Sequence, residues 1–115
     1  MLNTNFPPWP SYTKEESDRV SEILLSNKVN YWTGTETRQF EVEFAEWTGV
    51  SHAIAVANGT VALEMALRAL GIGKGDEVLV SPRTYIASAS CIEIVGAKPI
   101  FVDIDLDSQC IDPEG

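Results

Sequence analysis

The feature that most constrains the fold is a regular alternation of strand-like and helix-like segments over the C-terminal half of the chain. Three short apolar runs, at residues 52–57, 76–81 and 98–104, have the composition of buried strands. Two helical patterns, TVALEMALRALG and TYIASASCIEIVG, separate these runs and end at Gly71 and Gly96. Strands that alternate with helices through short links indicate an α/β layer on a mainly parallel sheet. Because the strands are apolar throughout, we expect both faces of the sheet to be covered.

Two further helical patterns precede this alternation. In the first, TKEESDRVSEILLSN, Thr13 and Glu16 have the spacing of a capping box, in which each residue satisfies a backbone N–H of the other. In the second, ETRQFEVEFAEWTG, Thr33 and Glu36 predict the same arrangement at the helix start, and Gly49 marks the helix end. Apolar side chains recur along one face of each pattern, so we expect two amphipathic helices joined by a loop.

The composition argues against several classes of function. The chain of 115 residues carries a net charge of −9, so its overall field does not favour nucleic acid as a partner. Its apolar runs are too short to span a bilayer, and the N-terminus MLNTNFPPWPSY lacks the pattern of a secretory signal, so we expect a cytoplasmic protein with no membrane partner. Two separated cysteines, Cys91 and Cys110, and a single histidine predict no metal site, and we expect Cys91 to be buried.

Two loops imitate ligand-binding motifs. The glycines of GIGKGD, residues 71–76, follow a helix and precede a strand, which is the reverse of the order in a phosphate-binding loop. We interpret this segment as a helix end and a turn. The segment DIDLDSQCIDPE, residues 103–114, has acids at four calcium-loop positions, but Ser108 stands where the required glycine would be. We interpret it as an acidic turn after a strand.

The stretch VANGTVALEMALRALG changes from strand to helix at Asn58-Gly59-Thr60. The helix is apolar except for Glu64 and Arg68, so we expect it to be mostly buried, and its first N–H groups need partners. Gly59 permits close approach of a ligand, and Thr60 offers a hydroxyl and an amide, as anion binding at a helix N-terminus requires. Alternatively, Asn58 or Thr60 only caps the helix, and the pattern alone favours neither interpretation.

A second turn, SPRTYIAS, leaves the strand at 76–81 and predicts a helix start near Thr84. The C-terminal ends of parallel strands share one edge of a sheet, and open α/β sheets bind ligands there. We therefore expect Asn58–Thr60 and Arg83–Tyr85 to face the same edge. Tyr85 would offer a flat ring to a ligand, and the alternative is that it is a partly buried helix residue.

These residues carry a resemblance to a known family. From about Val20 onward, the linked motifs NGT-AL, GIGKGDEV, SP-TY-A and GAKPIFVDID resemble the N-terminal part of the nucleotide-sugar aminotransferases of the DegT/DnrJ/StrS group. The resemblance implies an incomplete α/β fold: the N-terminal part of the large domain of a fold type I pyridoxal-phosphate (PLP) enzyme, three-layered with a mainly parallel sheet. We divide the chain into an N-terminal arm, helix and loop at 1–34 and the first part of the PLP-binding large domain at 35–115.

The resemblance also implies roles for individual residues. Gly59 and Thr60 match the turn that holds the PLP phosphate, and Tyr85 matches the aromatic residue that stacks on the pyridine ring. Asn58 stands where the family usually has Ser. The loop YWTG matches a segment near the sugar substrate at the dimer interface, which makes Trp32 a candidate substrate contact.

The implied activity is transfer of an amino group from an amino acid, typically glutamate, to a keto group on a nucleotide-linked sugar by a homodimeric PLP enzyme. Such a reaction serves the biosynthesis of surface polysaccharide, such as lipopolysaccharide, or of related amino sugars. The family's Schiff-base Lys lies beyond Gly115, so we expect no catalytic residue in this chain and no activity from it alone. Two alternatives stay open: a non-catalytic α/β fragment that binds phosphate or PLP, and a PLP-dependent sugar dehydratase of the same family. Later strands are expected beside 52–57, so the chain alone should leave open sheet edges.

Overall fold

The computed structural model describes residues 8–113 of the chain. The chain divides into two compact units, Met1–Ala55 and Val56–Gly115. The predicted division at 34/35 concerns the domains of a larger enzyme and stays a prediction. The elements are α1 (Lys14–Ser26) and α2 (Glu36–Thr48) in the first unit, and α3 (Gly59–Ala69), β1 (Glu77–Val80), α4 (Ala87–Ile94) and β2 (Lys98–Phe101) in the second.

The start of α1 confirms the predicted capping box. The Glu16 N–H donates to Thr13 Oγ1 at 3.2 Å, and the Thr13 N–H donates to Glu16 Oε2 at 2.6 Å. The bond from the Thr13 backbone, followed by that from its hydroxyl, lowers the pKa of Glu16. Both helices end at a left-handed residue, Asn27 with φ 59° and Gly49 with φ 74°, so the predicted end of α2 is also confirmed.

The start of α2 differs from the prediction. Thr35 is the N-cap residue and makes no side-chain capping bond. Thr33 instead donates to Asn30 Oδ1 through its N–H at 3.0 Å and its hydroxyl at 3.2 Å. The carboxylate of Glu36 pairs with Arg19 at 2.7 Å. The predicted capping box of Thr33 and Glu36 is therefore wrong, because a nearby amide and a guanidinium take the two side chains instead.

The second unit is built on two parallel strands. Glu77 lies opposite Lys98 and Val80 lies opposite Phe101 in the register of β1 and β2. Helix α4 packs against both strands and against α3, which follows from the short links between these elements. The predicted α/β arrangement with a parallel sheet is confirmed, as is the burial of Cys91. The buried core cluster consists of Val80, Cys91, Ile92 and Ala97.

The run at 52–57 is not a strand in the structure. A strand needs a neighbour with which to exchange backbone hydrogen bonds, and neither β1 nor β2 pairs with residues 52–57. The prediction of a strand at 52–57 is therefore wrong for the described residues. Both strands of a two-stranded sheet are edge strands, so the sheet has the open edges that the sequence predicted.

Burial in the second unit is less complete than the sequence predicts. No residue of α3 is buried, and Leu79 and Phe101 on the strands are 62% and 60% exposed. The predictions that α3 is mostly buried and that both faces of the sheet are covered are therefore wrong within residues 8–113. The physical reason is that α4 is the helix that packs against the strands, and one helix covers one face.

The two loops that imitate ligand motifs are turns, as interpreted. Gly75 has φ 100°, and Asp76 accepts a hydrogen bond from the Gly73 N–H at 2.9 Å. Asp105 accepts one from the Ser108 N–H at 2.8 Å, and this bond is the main cause of its lowered pKa. Among residues 8–113, no three His, Cys, Asp or Glu side chains are grouped to hold a metal ion. None of the helices in this range combines the length and apolar character needed to cross a membrane.

Candidate cofactor site

The first turn of α3 combines a capped and an uncapped part. Asn58 is the N-cap residue, and its Oδ1 accepts a hydrogen bond from the Val61 N–H at 3.0 Å. Its carbonyl accepts the Ala62 N–H at 3.1 Å. The N–H groups of Gly59 and Thr60 and the Thr60 hydroxyl have no hydrogen-bond partner within the described part of the chain. Capping by Asn58 is thus confirmed, and it leaves three donors at the helix start available.

Gly59 lies at this turn without a conformational need for glycine. A Cβ built on Gly59 would meet no heavy atom within 4 Å, and the residue is not among the glycines with positive φ. Neither backbone strain nor a crowded neighbour therefore explains the missing side chain. A glycine beside unpaired N–H groups fits a site where a ligand approaches the backbone closely. This turn has the donor set and the open space that a phosphate group requires.

Residues from both predicted turns line one open cleft of about 1060 Å³ in the second unit, but of Arg83–Tyr85 only Tyr85 lines it. The segment Asn58–Leu63 forms one wall, and Tyr85, Ala87 and Ser88 form another. The structure thus brings Gly59, Thr60 and Tyr85 together as predicted, but through the packing of α3 against α4 and not through a shared sheet edge, since residues 52–57 are not a strand. Tyr85 is 76% exposed and lies before the helix, so the interpretation as a partly buried helix residue is wrong.

The segment that carries Tyr85 is a loop held by short-range hydrogen bonds. Helix α4 begins at Ala87 rather than near Thr84 as predicted. The hydroxyls of Thr84 and Ser88 lie 2.8 Å apart, and the Tyr85 carbonyl accepts the Ser88 N–H at 3.0 Å. These local bonds hold the backbone at Tyr85 outside the helix, which explains the later start. Sequence reasoning missed Ser88 as a lining residue, although its spacing of four from Thr84 was a usable signal.

Trp32 belongs to the first unit and is described within it. Its side chain is 84% exposed, and its ring lies edge-on to that of Tyr31 at 6.2 Å. The Trp32 N–H donates to Asn30 Oδ1 at 3.0 Å, so its backbone is fixed while the indole projects outward. An exposed indole on a bonded loop fits a contact surface.

An α/β fold in which the start of one helix presents free N–H groups and a hydroxyl, beside an exposed aromatic ring, has the features of a site that anchors a phosphate-bearing cofactor. Residues 10–115 match the DegT/DnrJ/EryC1/StrS aminotransferase family, and the chain belongs to this family. The family predicted from the sequence motifs is thereby confirmed. PLP is the cofactor of these aminotransferases, as predicted.

Three similar proteins illustrate the match. GDP-perosamine synthase of Escherichia coli O157:H7 is 50% identical over 84% of this chain and 26% of that protein. The aminotransferase from Psychrobacter cryohalolentis is 60% identical with a TM-score of 0.90, over 95% of this chain and 28% of that one. Spr1654 of Streptococcus pneumoniae, solved in its PLP form, is 37% identical with a TM-score of 0.78, over 90% of this chain and 26% of that one.

The chain spans only about a quarter of the length of the curated relatives it matches. The TM-score of 0.90 over nearly the whole chain nevertheless confirms the predicted fold class, a part of a PLP aminotransferase.

Proposed function

We propose that this chain is the part of a PLP-dependent sugar aminotransferase that anchors the cofactor's phosphate and one face of its ring. One observation carries the proposal. Gly59 and Thr60, whose N–H groups and hydroxyl are unpaired within the described residues, line the same cleft as the exposed Tyr85. A phosphate at this turn gains three hydrogen bonds and the field of the helix, worth about 0.3–1 kcal/mol for the field alone.

Each residue has a separate role in this proposal. PLP, when bound, supplies the electron sink for amino transfer. Gly59 and Thr60 hold the phosphate, and Tyr85 stacks on the pyridine ring, an arrangement that aromatic rings favour. Anchoring at two separate turns restricts both the position and the rotation of the cofactor. None of the described side chains lining the cleft is a lysine, and we assign no catalytic residue within the chain.

We further propose that the acceptor is a keto group on a nucleotide-linked sugar and that the amino donor is glutamate. The 50% identity to GDP-perosamine synthase supports a nucleotide-sugar substrate. The 46% identity to the spore coat polysaccharide biosynthesis protein SpsC of Bacillus subtilis supports a place in surface polysaccharide biosynthesis, and we propose lipopolysaccharide as one such product. We assign Trp32 to the sugar-binding surface because its indole offers an exposed apolar face. We also propose a cytoplasmic homodimer, with residues 35–115 as the first part of its PLP-binding domain.

The full-length protein provides the test. Purified with PLP, it should carry a visible absorbance band that borohydride treatment fixes to the protein. Added glutamate should discharge this band and yield 2-oxoglutarate in an amount equal to that of the protein. A protein that binds no PLP contradicts the proposal. Bound PLP that forms neither 2-oxoglutarate from glutamate nor 2-oxoglutaramate from glutamine would instead favour a dehydratase or a non-catalytic binding protein.

A further inference from the structure

Glu41 joins two distant segments of the first unit. This half-buried residue of α2 accepts a hydrogen bond from the Ala55 N–H at 2.8 Å through Oε1. Its Oε2 accepts one from the Tyr31 hydroxyl at 3.3 Å. The two partners lie on opposite sides of α2 in the sequence, so one carboxylate ties the loop before the helix to the segment after it. Bonds to an ionised carboxylate are stronger than those between neutral groups.

The loop that Glu41 reaches is closed by its own hydrogen bonds. Asn30 Oδ1 accepts bonds from the N–H groups of Trp32 and Thr33, both at 3.0 Å. The Gly34 N–H donates to the Asn30 carbonyl at 2.8 Å. A Cβ on Gly34 would collide with the backbone carbonyls of Lys28 and Asn30. The loop is therefore compact, and its exposed side chains project from a fixed backbone.

Tyr31 contacts three other side chains, those of Arg38, Glu41 and Trp32. The Arg38 guanidinium lies over the Tyr31 ring at 4.9 Å, while Glu41 accepts a hydrogen bond from the Tyr31 hydroxyl. Trp32 meets this ring edge-on, at an interplanar angle of 87°. A fixed ring beneath an exposed indole lowers the entropy that the indole loses when a ligand binds to it.

We propose that Glu41 is a positioning residue for the sugar substrate. Through Tyr31 it holds the Trp32 indole in the orientation that packs against the acceptor sugar. The inference rests on the proposed function, since it takes Trp32 as a substrate contact. It adds a residue that does not itself touch the substrate but determines how well the sugar binds. Loss of Glu41 should therefore weaken sugar binding and leave PLP binding intact.

The test uses the full-length protein with GDP-perosamine and 2-oxoglutarate, so that the reverse reaction forms glutamate. Glu41→Ala and Trp32→Ala should each raise the KM for GDP-perosamine roughly tenfold, with kcat changed less than about twofold. The double variant should be no worse than either single variant, because both changes remove the same contact. Glu43→Ala is the matched control, since this carboxylate of the same helix bonds to Gln39 at 2.7 Å.

A second readout needs no substrate. In protein labelled with 5-fluorotryptophan, the ¹⁹F resonance of Trp32, assigned by its loss in Trp32→Phe, should shift or broaden in Glu41→Ala and, less strongly, in Tyr31→Phe. PLP content should equal that of the wild type in both variants, which shows that they fold. An unchanged Trp32 resonance, additive KM effects, or a KM unaffected by Trp32→Ala would overturn the proposal. A wild-type protein that binds PLP but does not convert GDP-perosamine rules out this probe as its amino sugar, and an unchanged Trp32 resonance in Glu41→Ala then overturns the positioning role of Glu41.

Discussion

The side-chain oxygen of Asn58 and the backbone nitrogen of Val61 lie 3.0 Å apart, and this bond caps α3 without using the donors of Gly59 and Thr60. The sequence presented a helix cap and a phosphate site as competing explanations for the same turn. In the structure the helix cap and the proposed phosphate site use different atoms. Asn58 satisfies one N–H of the first turn, and Gly59 and Thr60, which precede Val61, line the cleft with their donors unpaired. Capping and anion binding are therefore compatible at this position.

The cap predicts a stability effect that is separate from the cofactor. Asn58→Ala should destabilise the first turn of α3 by about 1 kcal/mol, whereas Asn58→Ser should stay close to the wild type because serine also caps. Native-state hydrogen exchange of the Val61 and Ala62 amides in the full-length protein measures this, with roughly fivefold faster exchange expected for the alanine variant. Equal exchange in the alanine and serine variants would contradict the capping role.

Gly59 should matter for the cofactor and not for the fold. Because a Cβ at this position meets only open space, Gly59→Ala should leave the melting temperature of the PLP-free protein unchanged. The same methyl group occupies the space proposed for the phosphate, so PLP affinity should fall by at least about tenfold, or 1.4 kcal/mol. Titration of the PLP-free protein with PLP measures this. Wild-type affinity in the variant would show that no ligand approaches this backbone.

Tyr85 should contribute its ring and not its hydroxyl. Tyr85→Phe should keep PLP affinity near that of the wild type, while Tyr85→Ala should weaken it by the stacking energy, about 0.5–1.5 kcal/mol. The side chain is 76% exposed, so neither change should destabilise the PLP-free protein. Tyr12→Ala is the matched control because Tyr12 is equally exposed, at 79%, and does not line the cleft. Equal effects of Tyr12→Ala and Tyr85→Ala would contradict the stacking role.

The capping box of α1 predicts a dependence on pH. Hydrogen bonds from Thr13 lower the pKa of Glu16 in the folded state. The stabilisation is therefore present above the unfolded-state pKa and is lost as the pH falls through the lowered folded-state pKa. Thr13→Val removes the hydroxyl bond and should raise the pKa of Glu16 towards its ordinary value. An NMR titration of the side-chain carboxyl carbon checks both statements, and a Glu16 pKa that is not lowered in the wild type would contradict them.

Local chemistry made the main elements and the candidate site predictable from the sequence. The Thr13–Glu16 capping box and the glycine ends of the helices depend on neighbours within four residues. The grouping of Gly59, Thr60 and Tyr85 was predicted from the shared edge of parallel strands, and the structure forms it instead by packing α3 against α4. Patterns of this kind can be read from one sequence because few other segments compete for the same hydrogen-bonding groups.

The features that escaped prediction depend on competition or on distant partners. Thr33 matched a capping position, but in the structure its N–H and its hydroxyl donate to Asn30 Oδ1 instead. The run at 52–57 has the composition of a strand, yet strand formation requires a neighbour that composition cannot supply. Glu41 looked like any other acid of an amphipathic helix, and its bond to Ala55 spans fourteen residues. Only the folded chain reveals such a contact.

The central claim is that the turn at Gly59 and Thr60 binds the phosphate of PLP. The most direct measurement compares the affinities of PLP and of pyridoxal, which lacks the phosphate, for wild-type and Thr60→Val full-length protein. A hydrogen bond to a charged group contributes about 1.5–3 kcal/mol, so Thr60→Val should weaken PLP roughly 10- to 100-fold and leave pyridoxal unchanged. Thr48→Val, at the end of α2, should alter neither affinity. Equal weakening of both ligands, or unchanged PLP affinity, would contradict the claim.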